Sequence, residues 1–217
     1  MNNAKKEIVN MILKMAGSYT PYNIFSDWVK LCAISIQNGL YQAHNETWSR
    51  REKQYMETMG KYNIEEQKRM TNMFGMLVEA FEDEISDILG EIYMESGCGS
   101  KATGQFFTPF HISCLTAAIG IPQNISVNNK LYMNEPSAGG GGMIIAVAKA
   151  LSDRGIDYQK CMEVTAKDLD WNGVYMTYVQ LSILGISATV ICADAIGKTV
   201  LDEKSKFYTP KRMGVLL

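Results

Sequence analysis

The feature of this sequence that most constrains its fold is a run of four glycines between a strand pattern and a helix pattern. Residues 130–133 have the apolar pattern of a short strand, which leads into Glu135 and Pro136. The glycines at 139–142 come next, and an apolar helix pattern covers 143–151. Glycine lets the backbone turn sharply and lets a ligand approach it closely. A helix N-terminus offers free N–H groups and a partial positive charge. The arrangement predicts a site for a nucleotide-like ligand.

Composition and charge narrow the class of protein. The chain has 217 residues, 47% of them hydrophobic, and a net charge of -2, which predicts a globular protein with no overall attraction to nucleic acid.

The cysteines and histidines give two further predictions. The five cysteines form no C-x-x-C pair and there are only two histidines, so we predict no metal site. An odd, dispersed set of cysteines also favours a reducing compartment. No signal peptide and no membrane-spanning run is found, which favours a cytoplasmic protein without membrane association.

The pattern of apolar residues changes near residue 100. Residues 1–100 show helical periodicity, including one long predicted helix from Met70 to Ile92 that carries Asp87 on its polar face. Residues 101–217 form a predicted α/β domain. It starts with a helix from Pro109 with Thr108 as its N-cap. The remaining predicted elements are strands at 131–135, 161–166 and 188–192 and helices at 143–153 and 171–184. Their alternation predicts a parallel sheet.

Acidic residues lie at or just after the end of each of the three predicted strands. Glu135 ends the first, Asp168 and Asp170 follow the second, and Asp194 follows the third. Ligands of open parallel sheets bind beyond these strand ends. Asp168 lies further from Glu135 than the roughly 20 residues of a dinucleotide fingerprint, and neither G-x-G-x-x-G nor a Walker sequence is present. Three acids suit a ligand with several hydrogen-bond donors, and S-adenosylmethionine fits that description.

Four segments together resemble one family. They are G-Q-F-F-T-P at 104–109, E-P-S-A-G-G-G-G at 135–142, D-L-D at 168–170 and A-D-A-I at 193–196. Their order and spacing resemble the adenine-N6 DNA methyltransferases, above all the modification subunits of type I restriction systems. The resemblance covers about residues 70 to 196. It implies a Rossmann-like S-adenosylmethionine-dependent methyltransferase sheet behind a helical region, with DNA as a partner and a restriction-modification or mobile-element origin.

The resemblance also implies a cofactor site. In it, Glu135 accepts a hydrogen bond from the methionine amine, Asp168 from the ribose hydroxyls and Asp194 from the adenine amino group. Phe107 and Thr108 contact the methionine part. The full implied set is Phe107, Thr108, Glu135, Pro136, Ser137, Gly139, Gly141, Asp168, Asp194 and Ile196, in which the glycines leave room for the cofactor and Ile196 lies against the adenine ring. Phe107 and Ile196 have the alternative of being ordinary core residues.

One motif of the family is missing. These enzymes use an N-P-P-Y or N-P-P-F segment, whose Asn and Pro hold the target adenine and whose aromatic ring stacks on it. No Asn-Pro or Pro-Pro dipeptide occurs in the chain, and residues 206–212 read K-F-Y-T-P-K-R instead. Residues 213–217 are either a fragment of a fourth strand or a tail. We therefore expect no catalytic residues and a sheet that is incomplete at its C-terminal end.

Three functional hypotheses stay open. The first is a cofactor-binding methyltransferase-like protein that is inactive alone. The second is a non-catalytic module that docks a partner subunit or DNA and keeps a vestigial cofactor site. The third is a different small-molecule enzyme that uses the same turn of four glycines at 139–142, called the glycine turn below. An open sheet edge favours a partner subunit or a homo-oligomer. The basic residues Arg50, Arg51 and Lys53, or those at 204–212, either contact phosphates or form a solvated face.

Overall fold

A computed structural model describes residues 3–99, 107–122, 125, 130–197 and 202–215. The described residues fall into two compact units. The first comprises those of Met1–Glu84 and Ile88–Phe106, and the second those of Ile85–Asp87 and Phe107–Leu217. None of the helices in these ranges is long and apolar enough to span a membrane.

The first unit is helical, as the periodicity predicts. Capping boxes fix two of its helix starts: Thr20 pairs with Asn23, and Asn63 pairs with Glu66. Trp28 lies in the core and donates its indole N–H to the carbonyl of Met70 at 3.2 Å. The helices are α1 (Asn3–Met15), α2 (Pro21–Gly39), α3 (Glu46–Met59), α4 (Ile64–Asp83) and α5 (Ile88–Glu95).

The prediction of one helix from Met70 to Ile92 is wrong. Helix α4 ends at Asp83, Glu84 adopts an extended conformation, and α5 begins at Ile88. Asp87 is therefore not on a solvated helix face. It is only 4% exposed and belongs to the second unit.

The second unit contains the predicted α/β pattern. Its sheet has the order β1-β2-β3-β4, in which β1, β2 and β3 are parallel and β4 is antiparallel to β3. The α/β fold class is thus confirmed. The elements are α6 (Phe110–Gly120), β1 (Leu131–Glu135), α7 (Gly142–Asp153), α8 (Tyr158–Cys161), β2 (Met162–Asp168), α9 (Trp171–Ile183), β3 (Ser187–Cys192) and β4 (Lys206–Tyr208).

The core of this unit lies between the sheet and the buried faces of its helices. Strand β2 alternates buried and half-buried residues, with Val164 and Ala166 in the core. Helix α9 is buried along most of its length, from Gly173 to Ser182. Helix α9 contacts β2 and β3, so this helix and the sheet share the core of the unit.

One expectation for this unit needs correction, and one of the two alternatives for residues 213–217 is excluded. Helix α6 starts at Phe110 with Pro109 as N-cap and without a side-chain cap, so Thr108 is not the N-cap. Pro109 itself has an extended ψ of 132°, which places it before the first turn. The fourth strand is Lys206–Tyr208, not a segment within 213–217, and residues 216 and 217 lie outside the described residues.

The fourth strand is held in place by a buried hydroxyl. Thr209 is fully buried, donates to the carbonyl of Ile186 at 2.7 Å and accepts the N–H of Ala188 at 2.9 Å. Such a short strand carries little periodicity, because Phe207 is its single fully buried residue.

Candidate cofactor site

The parallel register brings the three acidic strand ends to one edge of the sheet. Glu135 is the last residue of β1 and pairs with Ala166 of β2. Asp168 ends β2 and pairs with Cys192 of β3, while Asp194 follows two residues later. Glu135 and Asp168 are half-buried and Asp194 is exposed. The edge therefore presents a row of carboxylates beside the glycine turn.

Asp168 ties the glycine turn to the second strand. One carboxylate oxygen accepts the N–H of Gly139 at 2.7 Å, and the other accepts the N–H of Asp170 at 2.9 Å. The backbone of α9 can lie close to the Asp168 carboxylate because Gly173 has no side chain. A Cβ at Gly173 would lie 3.0 Å from the Asp168 carboxyl carbon. A carboxylate oxygen has two lone pairs, so Asp168 keeps acceptor capacity towards a ligand.

The glycines at 139 and 141 are required by the backbone itself. Their φ angles are +53° and +91°, which L side chains rarely adopt. A Cβ on Gly139 would lie 3.1 Å from the ring of Phe107, and one on Gly141 would lie 3.2 Å from the Thr177 hydroxyl. Protein atoms thus already fill the space beside each Cβ position.

Donors on α9 orient the peptide groups of the turn. The Thr177 hydroxyl donates to the carbonyl of Gly139 at 2.9 Å, and the Gln180 amide donates to the carbonyl of Gly140 at 2.6 Å. The N–H of a trans peptide points opposite to its carbonyl. The N–H of Gly140, which belongs to the same peptide as the carbonyl of Gly139, therefore points away from α9.

The other two acids stabilise their own loops. Glu135 accepts the N–H of Ser137 at 3.2 Å, and Asp194 accepts the N–H of Ile196 at 2.9 Å. Hydrogen bonds from the backbone N–H groups of Ile196 and Gly197 hold the pKa of Asp194 below its ordinary 3.8. Asp194 is therefore ionised at neutral pH and can accept further hydrogen bonds.

The remaining residues of the implied set differ in how closely they approach the turn. Phe107 is half-buried and packs at Gly139, whereas Thr108 is exposed. Ile196 is 98% exposed, which rules out the alternative of a core residue, and Leu169 beside Asp168 is 74% exposed. Pro136 and Ser137 are exposed at the turn, while the leading residues of the G-Q-F-F-T-P segment, 104–106, lie outside the described residues.

Sequence patterns missed two buried residues behind the glycine turn. Gln180 is fully buried and donates to the Asp87 carboxylate at 2.8 Å as well as to Gly140. The same carboxylate lies beside the start of α7, since a Cβ on Gly142 would be 2.8 Å from it. For Asp87 one sequence signal was available: Ser86 and Asp87 precede the apolar run of α5, and such residues are typical of a helix start.

Other chemistry receives little support. Within the ranges that the structure describes, no group of three or more His, Cys, Asp or Glu side chains is arranged to hold a metal ion. Several members of the two basic clusters have structural partners or are buried. Arg51 is only 3% exposed, and the ammonium of Lys53 lies 3.8 Å from the Glu57 carboxylate. Lys206 and Arg212 form ion pairs with Glu203 and Glu163, so burial and ion pairing favour structural roles for Arg51, Lys206 and Arg212.

A parallel sheet with a glycine turn after its first strand and acids after the next two defines a Rossmann-like domain built for a nucleotide-type cofactor. The sequence profile of the N-6 DNA methylase family matches residues 84–216, more than half of the chain. The chain belongs to this family, and its cofactor is accordingly S-adenosylmethionine.

Comparison with solved structures gives a more distant likeness. The chain aligns with a crystal structure of a candidate class I S-adenosylmethionine-dependent methyltransferase from Listeria monocytogenes, with 12% identity and a TM-score of 0.47. The alignment covers 93% of this chain and 57% of that chain, so this chain spans little more than half of that protein. No curated protein matches the sequence.

Proposed function

We propose that this chain is the cofactor-binding part of an adenine-N6 DNA methyltransferase and that it does not transfer a methyl group by itself. The observation that carries the proposal is the shared edge of Glu135, Asp168 and Asp194 beside the turn at Gly139. Membership of a DNA methylase family supports DNA as the substrate, and the exocyclic amine of adenine as the group that is modified.

The residues of this edge suit S-adenosylmethionine. Asp168 would accept from the ribose hydroxyls with the lone pairs that its backbone contacts leave. Ionised Asp194 would accept from the adenine amino group, and Glu135 would pair with the methionine amine. The exposed side chains of Leu169 and Ile196 would cover the faces of the adenine ring. When bound, the cofactor supplies an activated methyl group.

The second half of the proposal is supported by the absence of one sequence motif. An adenine amine must be positioned by hydrogen bonds and its base stacked on an aromatic ring before it can react. The sequence contains no Asn-Pro-Pro-aromatic segment. The strand that follows β3, Lys206–Tyr208, is antiparallel and leads into a turn anchored by Thr209. We infer that transfer requires residues supplied from elsewhere.

Calorimetry tests the cofactor claim. S-adenosylmethionine should bind the wild-type chain, and Asp194→Ala should weaken binding by about tenfold or more, as expected for a lost charge-assisted hydrogen bond. Asp157→Ala is the matched control, because Asp157 also accepts a backbone N–H two residues on, at 3.1 Å, but lies before β2 at the other end of the sheet. No binding at millimolar cofactor would refute the cofactor site and favour the interaction module.

A transfer assay tests the second half of the proposal. The chain, radiolabelled S-adenosylmethionine and adenine-rich duplex DNA should give no labelled DNA. Methyl incorporation by the isolated chain would show that it holds the target adenine without the missing segment, which would contradict the proposal. A complete adenine methyltransferase in the same assay controls for the quality of the DNA and the label.

A further inference from the structure

Asp87 and Gln180 form a buried pair behind the glycine turn, outside the row of strand-end acids. Both side chains are almost completely buried, at 4% and 0% exposure. The Gln180 amide nitrogen lies 2.8 Å from an Asp87 oxygen and 2.6 Å from the carbonyl of Gly140. One amide group thus joins the carboxylate and the turn.

We propose that Asp87 and Gln180 are positioning residues that fix the glycine turn in its ligand-binding conformation, an inference that rests on the proposed cofactor site. Gln180 holds the carbonyl of Gly140 towards α9, and Asp87 accepts from the same amide, which keeps its nitrogen directed at the turn. A neutral amide buried between two acceptors is satisfied by both of them. The orientation of this peptide sets the direction of the Gly141 N–H, which meets the carbonyl of Ala138 at 2.8 Å.

The glycines of the turn match the shape of this pair. A Cβ at Gly142 would lie 2.8 Å from Oδ2 of Asp87. A Cβ at Gly140 would lie 3.5 Å from Oδ1, the oxygen that accepts the hydrogen bond from Gln180. Gly142 has no positive φ, so its small size is explained by the neighbouring carboxylate and not by backbone conformation. The Asp87 carboxylate is also placed at the N-terminus of α7, where a negative charge is favourable.

The test separates a positioning role from a contribution to stability. Gln180→Met removes the amide donor at similar volume. Gln159→Met is the control, because the Gln159 amide also donates to a backbone carbonyl, that of Leu184 at 2.9 Å, in the same unit. We expect both variants to lower the melting temperature, but only Gln180→Met to weaken S-adenosylmethionine binding, by about tenfold or more. Equal affinities in the two variants would overturn the proposal.

A second variant covers the case in which Gln180→Met does not fold. Asp87→Ala with Gly142→Ala removes the carboxylate and refills its space, since the new Gly142 Cβ would lie 3.7 Å from the remaining Cβ of residue 87. The double variant should recover melting temperature relative to Asp87→Ala while its cofactor affinity stays low. Recovery of both quantities would mean that Asp87 only fills space, which would overturn its positioning role.

Failure of the proposed function can be distinguished from failure of this inference. If the wild-type chain binds no cofactor, the proposed function fails, and hydrogen exchange still tests the pair. Amides of residues 137–142 should exchange faster in Gln180→Met than in the wild type and at the wild-type rate in Gln159→Met. Unchanged exchange in Gln180→Met would overturn the inference whatever the ligand is.

Discussion

The carboxylate of Asp168 accepts the backbone N–H of Gly139 at 2.7 Å, so the acid after the second strand holds the turn after the first. Asp168 is therefore more than a candidate ribose ligand. Its second oxygen accepts the N–H of Asp170 at the start of α9, and one side chain thereby joins two loops and a helix. Substitutions at Asp168 will change both the fold and the proposed site.

Asp168→Asn should lower the free energy of unfolding by about 1–3 kcal/mol, because an amide nitrogen replaces one of two oxygens that accept backbone N–H groups. Chemical denaturation measures this change. Asp157→Asn is the control, since Asp157 is also a backbone acceptor but its position before α8 is more exposed. An effect at Asp168 no larger than that at Asp157 would contradict the structural role of Asp168.

Gly139→Ala should destabilise the second unit by about 1–2 kcal/mol from its left-handed φ alone, with a further loss from the contact with Phe107. Thermal unfolding measures the change. Gly75→Ala is the opposite case: Gly75 is exposed within α4, and no atom lies within 4 Å of the position that its Cβ would occupy. This control should stabilise by about 0.5–1 kcal/mol. Similar effects of the two alanines would contradict the assigned backbone geometry.

The extent of successful prediction differs between the sheet and its surroundings. The strands ending at Glu135 and Cys192 and the helix after Gly141 were predictable, because strand and helix periodicities with glycine boundaries are local signals. The α/β class and the family are confirmed, while the ligand roles of Asp168 and Asp194 stay predictions.

What the sequence could not predict depends on contacts between distant residues. The Asp87–Gln180 hydrogen bond joins positions 93 residues apart, and no local pattern encodes it. The break between α4 and α5 was hidden because Ile85 and Ile88 continue the apolar spacing of α4. Similarly, β4 depends on the pairing of Phe207 with Val190 rather than on a periodic run of its own.

Lys5→Met should destabilise the first unit by about 1.5–3 kcal/mol, because the almost buried ammonium donates to Glu84 at 2.7 Å and to Glu91 at 2.6 Å. The control is Lys68→Met, whose exposed pair with Glu65 contributes less than about 0.5 kcal/mol. Urea denaturation at pH 8 compares the two. Equal losses of stability in the two variants would contradict the buried ion pairs of Lys5 with Glu84 and Glu91.

The Lys5 contribution should also depend on pH. Desolvation lowers the pKa of Lys5, but the hydrogen bonds to Glu84 and Glu91 outweigh it and raise the pKa above its ordinary 10.5. A raised folded-state pKa gives stability that is complete below 10.5 and is lost as the pH rises through the folded value. The difference between the wild type and Lys5→Met should therefore shrink above pH 10.5, and a constant difference would contradict this.

Thr209→Val should lower the free energy of unfolding by about 1–3 kcal/mol, because it leaves the buried N–H of Ala188 without its hydroxyl acceptor. Thr209→Ser keeps the hydroxyl and should recover most of the loss. The control is Thr71→Val, since the Thr71 hydroxyl is exposed and bonds within its own helix. Denaturation curves compare the three variants, and a neutral Thr209→Val would refute the anchoring of β4.

The placement of Ile85–Asp87 in the second unit has a consequence for dissecting the protein. A fragment that begins at Phe107 includes β1 to β4 and the acids at their ends but loses Asp87, one of the two acceptors of the Gln180 amide. In such a fragment the amide would keep its hydrogen bond to the carbonyl of Gly140 and lose the one to Asp87. The family match begins at residue 84, just ahead of this tripeptide. The boundary of the second unit is therefore set by three residues that precede α5 in the chain, and a truncation that omits them would remove Asp87 from behind the glycines at 139–142.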